Sequence, residues 1–274
     1  MKKNAVITGA TKGLGRAIAE IFAEKGFDVC VCARTQADLD AMQIDWEKRF
    51  ANSRLLAFAA DLGKKSEVTE FADFVRSRWS QVDVLVNNAG IFMPGKVTEE
   101  GNGTLETLLE TNLYSAYHLT RGLLPLLLPH RSGHIFNMCS VASILAYPNG
   151  GSYSISKFAL LGFTKVLREE LRTQGIKVTA ILPGATWSDS WQGAHLPEDR
   201  LMQATDIAKA VGFLSQQAVN YAASVNVYFV NDNRVTIEVL PNVIGFQIAV
   251  VNTGESATIR RFVYFHPSQP SKIA

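Results

Sequence analysis

Residues 8–15 read Thr8-Gly9-Ala10-Thr11-Lys12-Gly13-Leu14-Gly15 and join a predicted strand to a predicted helix. Glycines let the backbone turn sharply and approach a pyrophosphate without a Cβ in the way. The free N–H groups and the dipole of a helix N-terminus then favour that anion. Any tight strand-to-helix turn tolerates glycine, and the spacing differs from GxGxxG, so the argument depends on the position of the turn. The segment therefore predicts a dinucleotide-binding turn.

Short apolar runs alternate with helix-like stretches along most of the chain. The predicted strands are Asn4–Thr8, Asp28–Ala33, Leu55–Ala60, Val82–Asn87, His134–Cys139, Lys177–Leu182 and Ser224–Val230. The predicted helices are Leu14–Lys25, Ala37–Phe50, Ser66–Trp79, Leu105–Leu127, Tyr153–Thr173 and Thr205–Gln217. Parallel strands need crossover connections, and the crossover helices cover the sheet. The pattern predicts an α/β fold with a doubly wound, Rossmann-type parallel sheet and helices on both faces.

The pattern changes after Val230. Three further strands are predicted at Arg234–Leu240, Val243–Val251 and Ala257–Phe265, separated by turn residues and without an intervening helix. We therefore expect a Rossmann-type catalytic domain at residues 1–230 and a strand-rich C-terminal extension of unknown role at residues 231–274.

Composition excludes several classes of protein. The 274 residues carry a formal net charge of +2 and are 47% hydrophobic, which argues against a disordered chain and a dedicated nucleic-acid binder. The apolar runs are too short to cross a bilayer, so no membrane partner is expected. Three cysteines make no disulfide framework, and a cytoplasmic location is predicted. No spacing of His, Cys and carboxylates indicates a metal site.

The end of the second strand indicates which dinucleotide is bound. An acidic residue there would favour NAD, but the sequence has Cys32-Ala33-Arg34-Thr35. Arg34 offers a planar cation suited to a 2′-phosphate, and Lys12 offers a second cation from the glycine turn. Both side chains are otherwise ordinary surface charges. The pair predicts NADPH (NADP+) as the cofactor, with NADH less favoured.

Tyr153 and Lys157 are four residues apart, which places them one turn apart on the same face of a helix. A phenol has a pKa near ~10, and a nearby ammonium stabilises the phenolate. The pair therefore suits general acid–base chemistry. Taken alone, the same spacing is also consistent with an ordinary pair of surface side chains.

The chain resembles the short-chain dehydrogenase/reductase family from Lys3 to about Gln217. Six motifs occur in the family's order: Thr8 to Gly15, Asn87-Asn88-Ala89-Gly90, Asn112, Ser140, Tyr153-Ser154-Ile155-Ser156-Lys157 and Pro183-Gly184. The resemblance implies a catalytic set of Asn112, Ser140, Tyr153 and Lys157. Tyr153 would exchange the proton, Ser140 would bind the substrate oxygen, and Asn112 would hold a water that links Lys157 to solvent.

The resemblance also implies the cofactor contacts. They are Gly9, Thr11, Lys12, Gly13, Leu14, Gly15, Arg34, Asp61, Leu62, Asn88, Ala89, Gly90, Tyr153, Lys157, Pro183, Gly184 and Ser188. Asp61 and Leu62 would hold the adenine, and Ser188 would contact the carboxamide. Family members commonly assemble, so a homodimer or homotetramer is expected.

The substrate is less constrained than the cofactor. The predicted substrate wall, at the carboxyl ends of the strands, is Ile91–Pro94, Val141–Asn149 and the loop Ala185–Leu196. That loop carries Trp187 and Trp191, which suggest a lid over a flat or apolar small-molecule carbonyl substrate, although both rings suit packing within the loop. This loop is most similar to those of sepiapterin-reductase-like and 3-oxoacyl-carrier-protein-reductase-like members. The expected function is reduction of a ketone, diketone, pterin side chain or 3-oxoacyl group. The alternatives are a non-enzymatic NADP-binding regulator and, less favoured, a sugar epimerase or dehydratase.

Overall fold

The structure is a computed structural model. It describes residues 2–184, 186 and 203–216, together with the strand segments 225–230, 234–239, 246–248, 250–251 and 262–264. Most of the predicted substrate loop, including Trp187, Ser188 and Trp191, therefore lies outside the described residues.

Seven described strands pair in parallel in the order β3-β2-β1-β4-β5-β6-β7. They are β1 Asn4–Thr8, β2 Asp28–Ala33, β3 Leu55–Ala59, β4 Val84–Asn87, β5 Gly133–Met138, β6 Ile176–Leu182 and β7 Val225–Val230. The strand order reverses between β1 and β4. Ligands of doubly wound sheets bind outside the carboxyl ends of the strands at this kind of position.

Helices cover both faces of the sheet. They are α1 Gly13–Glu24, α2 Gln36–Arg49, α3 Lys65–Arg78, α4 Thr104–Leu109, α5 Ser115–Leu127, α6 Gly151–Leu171 and α7 Ala204–Gln216. Alternate residues of β1 enter different core layers, because side chains alternate across a strand. Ala5 and Ile7 pack with α1, α2 and α7, whereas Val6 packs with α3, α5 and α6. The predicted doubly wound α/β fold is confirmed.

One predicted helix differs from the structure. The segment Leu105–Leu127 was expected to be a single helix, but a π-helical turn at Glu110–Tyr114 separates α4 from α5. Turns of this kind are rare and are frequently found at functional sites. Asn112, a predicted catalytic residue, lies within it.

The described strands continue beyond Val230. β8 Arg234–Val239 pairs antiparallel with β7, and β10 Val250–Val251 pairs antiparallel with β8. β9 Phe246–Ile248 and β11 Phe262–Tyr264 form a separate two-stranded sheet. The division at residue 230 and the role of residues 231–274 stay predictions. None of the described helices is long and apolar enough to cross a membrane.

Candidate active site

The glycine turn after β1 has the geometry expected of a phosphate-binding turn. Gly9 and Gly13 have φ angles of 63° and 56°, a left-handed conformation that glycine adopts without strain. α1 begins at Gly13, and Lys12 at its N-cap makes no side-chain capping bond to the first turn. A Cβ on Gly13 would meet nothing within 4 Å, so the helix N-terminus faces open space. These groups fit the pyrophosphate of a dinucleotide.

The third glycine has a packing role. A Cβ on Gly15 would overlap the carbonyl oxygen of Gly9, so only glycine lets α1 approach the turn this closely. Asn88 holds the same turn from β4, because its Nδ2 donates to the carbonyls of Thr8 and Gly9 at 2.8 and 3.0 Å. The Thr8 hydroxyl in return accepts from the backbone N–H of Ala89 at 2.8 Å. The ends of β1 and β4 therefore form one rigid unit.

The predicted cations lie at the ends of β1 and β2. Lys12 lines a cavity of about 330 Å³ together with Arg16 and Asp38, and its other lining residues are Thr11, Ala41 and Met42. Arg34 is exposed just beyond β2 and outside that lining. Arg16 is bound to Glu20 at 2.5 Å and also to Asp45, which neutralises its charge. The sequence analysis missed Asp38, a carboxylate in the wall of this cavity.

Asp61 and Leu62 follow β3 at the same edge of the sheet. Asp61 Oδ1 accepts a hydrogen bond from the backbone N–H of Gly63 at 3.1 Å, and Leu62 is buried. The backbone N–H of Asp61 donates to Glu67 at 2.6 Å. The loop is thus fixed from within and places both residues beyond the strand end, where an adenine contact was predicted.

Tyr153 and Ser140 come together at the carboxyl ends of the central strands. Tyr153 lies in the first turn of α6, and Ser140 lies two residues after the end of β5. The Ser140 Oγ accepts from the backbone N–H of Ala142 at 3.1 Å, which orients the hydroxyl. Burial raises the pKa of the Tyr153 phenol, and hydrogen bonding to Ser140 opposes that rise.

Lys157 lies beneath this pair. It is buried, its Nζ donates to the carbonyl of Met138 at 2.9 Å, and the Nζ is 5.9 Å from the centre of the Tyr153 ring. Burial lowers the pKa of Lys157. The positive charge of Lys157 is expected to lower the pKa of Tyr153. Desolvation of the phenol acts in the opposite direction and outweighs the hydrogen bond with Ser140, so the net direction of that pKa is upward.

Asn112 is tied to the loop after β4 and to α6. Its Oδ1 accepts from the backbone N–H of Ile91 at 2.8 Å, and its Nδ2 donates to the Ile91 carbonyl at 3.1 Å and to Ser156 Oγ at 2.9 Å. A Cβ on Gly90 would lie 3.1 Å from Asn112 Oδ1 and 3.5 Å from Lys157 Nζ. The absence of a side chain at Gly90 therefore leaves room for both the Asn112 and the Lys157 side chains.

Pro183 and Gly184 follow β6 on the other side of Ser140. The Pro183 carbonyl accepts from the backbone N–H of Val141 at 3.1 Å, and the Gly184 carbonyl accepts from Thr186 Oγ1 at 3.1 Å. Pro183 thereby lies next to the segment that follows Ser140, and the cofactor contacts of Pro183 and Gly184 stay predictions. The predicted contact of Ser188 lies outside the described residues.

Two aromatic residues near Tyr153, Phe92 and Tyr147, lie in the ranges predicted to form the substrate wall. The Phe92 ring lies edge-on to the Tyr153 ring, with centroids 4.8 Å apart. Tyr147 lines an open groove of about 580 Å³ whose apolar wall includes Val97, Ile155 and Phe158. Burial and the neighbouring Tyr153 raise the pKa of the Tyr147 phenol. The position of these ranges at the strand ends predicted them as substrate wall, but it did not predict the ring contact between Phe92 and Tyr153.

Comparisons with known proteins agree with this geometry. Residues 3–198 match the family model of the short chain dehydrogenases. A 3-oxoacyl-[acyl-carrier-protein] reductase of Staphylococcus epidermidis is 32% identical over 231 residues, which cover 81% of this chain and 94% of that protein. The corresponding reductase of Haemophilus influenzae is 29% identical over 229 residues, covering 80% of this chain and 93% of that protein.

Solved structures show the same likeness. The L-sorbose reductase of Gluconobacter frateurii, complexed with NADPH and L-sorbose, has a TM-score of 0.76 and 27% identity, covering 84% of this chain and 95% of that one. An alcohol dehydrogenase of Thermococcus sibiricus has a TM-score of 0.77 and 25% identity, covering 84% of this chain and 97% of that one. The chain therefore belongs to the short-chain dehydrogenase/reductase family, and it is an NAD(P)-dependent oxidoreductase acting on CH–OH and C=O groups.

Proposed function

We propose that this protein is an NADPH-dependent reductase of a small-molecule ketone or 3-oxoacyl-type carbonyl, with alcohol oxidation as the reverse reaction. The observation that carries the proposal is the placement of Tyr153 beside Ser140 and above buried Lys157. The 3-oxoacyl class is supported by the similar carrier-protein reductases, and the open apolar groove beside Tyr147 suits an apolar substituent. A diketone or a pterin side chain remains a related candidate.

NADPH, when bound, supplies a hydride to the carbonyl carbon. Tyr153 donates its phenolic proton to the carbonyl oxygen, and the raised pKa keeps that proton in place at neutral pH. The Ser140 hydroxyl hydrogen-bonds the same oxygen and stabilises the negative charge that develops there. Lys157 stabilises the phenolate left after proton transfer and holds the nicotinamide ribose.

Asn112 has an indirect role. Its side chain is hydrogen-bonded to Ile91 and Ser156. Its backbone carbonyl, in the π-helical turn, is therefore the group suited to hold a water next to Lys157. Such a water would return a proton from solvent to Lys157 and then to Tyr153 after each turnover.

A substrate panel tests the proposed function. Loss of NADPH absorbance should follow addition of at least one of acetoacetyl thioester, ethyl acetoacetate, 2,3-butanedione, sepiapterin and L-sorbose. Absence of turnover across the whole panel, with NADPH still bound, would favour the non-enzymatic regulator instead. The predicted cytoplasmic location and homo-oligomer stay predictions, and light scattering would test the latter.

Arg34 and Lys12 are proposed to select NADPH through its 2′-phosphate. Replacing Arg34 by serine should weaken NADPH binding about 10- to 100-fold, because a charge-assisted hydrogen bond contributes about 1.5–3 kcal/mol. NADH binding should change little, since NADH has no 2′-phosphate. Kinetics with both dinucleotides would measure the preference for NADPH over NADH. Adding Lys12→Ser to Arg34→Ser should lower this preference further.

Arg54→Ser is a matched control for Arg34→Ser. Arg54 is an exposed arginine that directly precedes β3, at the opposite edge of the sheet from the site. Its replacement should leave both dinucleotides unaffected. A wild-type preference for NADH, or an equal loss with both dinucleotides in Arg34→Ser, would contradict the assignment.

A further inference from the structure

A loop from Ile91 to Glu100, here called the crossing loop, runs across the start of α6. The backbone N–H of Gly95 donates to the Asn149 carbonyl at 3.0 Å. The Phe92 ring packs edge-on against Tyr153, at 4.8 Å and 88°. The crossing loop therefore contacts both the segment before α6 and the first turn of the helix.

Glu100 makes two hydrogen bonds to the second residue of α6. Its Oε1 accepts from the backbone N–H of Ser152 at 2.9 Å, and its Oε2 accepts from the Ser152 hydroxyl. Ser152 is buried, directly precedes Tyr153 and is the second residue of α6. The N-cap residue Gly150 has no side chain to satisfy this turn. Glu100 thus supplies from a distant loop the carboxylate that a helix N-terminus favours.

The chain leaves space for this carboxylate at two glycines. A Cβ on Gly95 would lie 2.8 Å from Glu100 Cγ, and a Cβ on Gly151 would overlap Glu100 Oε1. Any side chain at either position would displace the carboxylate from the helix. The seat for Glu100 is therefore formed by the crossing loop and α6 together.

We propose that Glu100 is a positioning residue for Tyr153, holding the first turn of α6 so that the phenol stays aligned with Ser140. The proposal rests on the proposed function, because it assigns Tyr153 the proton transfer. Glu100 touches neither substrate nor cofactor in this role. It acts through Ser152, whose backbone is continuous with that of Tyr153. A small displacement of a reacting group is enough to slow catalysis strongly.

Kinetics of Glu100→Ala and Glu100→Gln, with the carbonyl compound of the substrate panel that the wild-type protein reduces fastest, test this role. Glu100→Ala should lower kcat roughly 10- to 100-fold while KM for NADPH stays unchanged. Glu100→Gln should recover most of kcat, because an amide oxygen still accepts from the Ser152 N–H. Ser152→Ala removes only the hydroxyl, so its kcat should lie between that of the wild type and that of Glu100→Ala.

Glu99→Gln is the matched control. Glu99 is the exposed neighbour that pairs with Lys96, and its replacement should leave kcat unchanged. The proposal is overturned if Glu100→Ala has the kcat of the control, or if its loss of kcat vanishes once activity is expressed per folded molecule. If Glu100→Ala fails to fold, a lowered kcat in Ser152→Ala supports the proposal and an unchanged kcat overturns it. A wild-type protein without turnover would instead contradict the proposed function.

Discussion

Replacing Tyr153 by phenylalanine is expected to lower NADPH-dependent carbonyl reduction by about 10²- to 10⁴-fold, the usual contribution of a positioned general acid. Phenylalanine keeps the ring and its edge-on contact with Phe92, so α6 should not rearrange. Only the hydroxyl is lost, and with it the proton that the carbonyl oxygen must receive. NADPH binding should stay at the wild-type level, which fluorescence titration would measure.

The pH dependence of the wild-type protein follows from the same group. Burial raises the pKa of Tyr153, so the phenol is protonated at neutral pH and ready to act as an acid. Reduction should therefore persist through neutral pH and decline as the pH rises through that raised pKa. Alcohol oxidation needs the phenolate and should increase with pH over the same interval. Tyr153→Phe should remove this dependence from whatever activity remains.

Tyr117→Phe provides the control for the loss of a phenolic hydroxyl. Tyr117 lies on α5, and its hydroxyl accepts from Arg121 at 2.6 Å, at the surface. Its kinetics should match the wild type. Turnover by Tyr153→Phe at the rate of this control would assign the proton transfer to another group.

Much of the fold was predictable because parallel strands carry a strong local signal. The bounds of β1, β2 and β6 differ from the predicted ones by at most one residue, since buried apolar runs end where turn residues begin. The break between α4 and α5 was not predictable in this way. The residues of the π-helical turn continue an ordinary helical pattern, so the sequence predicts no break there. The structure shows the break, together with the hydrogen bond between Asn112 and the Ile91 backbone.

Helix spacing predicted the Tyr153–Lys157 pair, whereas Ser140 and Asn112 were predicted only from the family resemblance. Ser140, Tyr153 and Lys157 meet because β5 and α6 both deliver residues to one edge of the sheet. The balance between the charge of Lys157 and the desolvation of the Tyr153 phenol could not be read from the sequence, because it depends on how the folded chain packs around the ring. The contact of Glu100 with Ser152 was also not predicted. Glu100 lies 52 residues before Ser152, and no short-range sequence pattern connects the two residues.

Replacing Lys157 by methionine is expected to lower turnover roughly 10- to 1,000-fold, because an opposite charge within ~4–6 Å commonly shifts a pKa by 1–3 units. Methionine is unbranched and of similar length, so it fills the buried space beneath Tyr153. The carbonyl of Met138 loses its 2.9 Å donor, which should also reduce thermal stability. KM for NADPH should rise as well, since Lys157 is proposed to hold the nicotinamide ribose.

The pH profile and KM for NADPH distinguish the role of Lys157 from that of Tyr153. Without the ammonium the phenolate is less stable, so the pKa of Tyr153 rises further and the increase of alcohol oxidation with pH moves to more alkaline values. Tyr153→Phe leaves NADPH binding intact, whereas Lys157→Met should change both the pH profile and KM. Lys165→Met, an exposed lysine on the same helix, is the matched control and should change neither. An unshifted pH profile in Lys157→Met would mean that burial and Ser140 alone set the acidity of Tyr153.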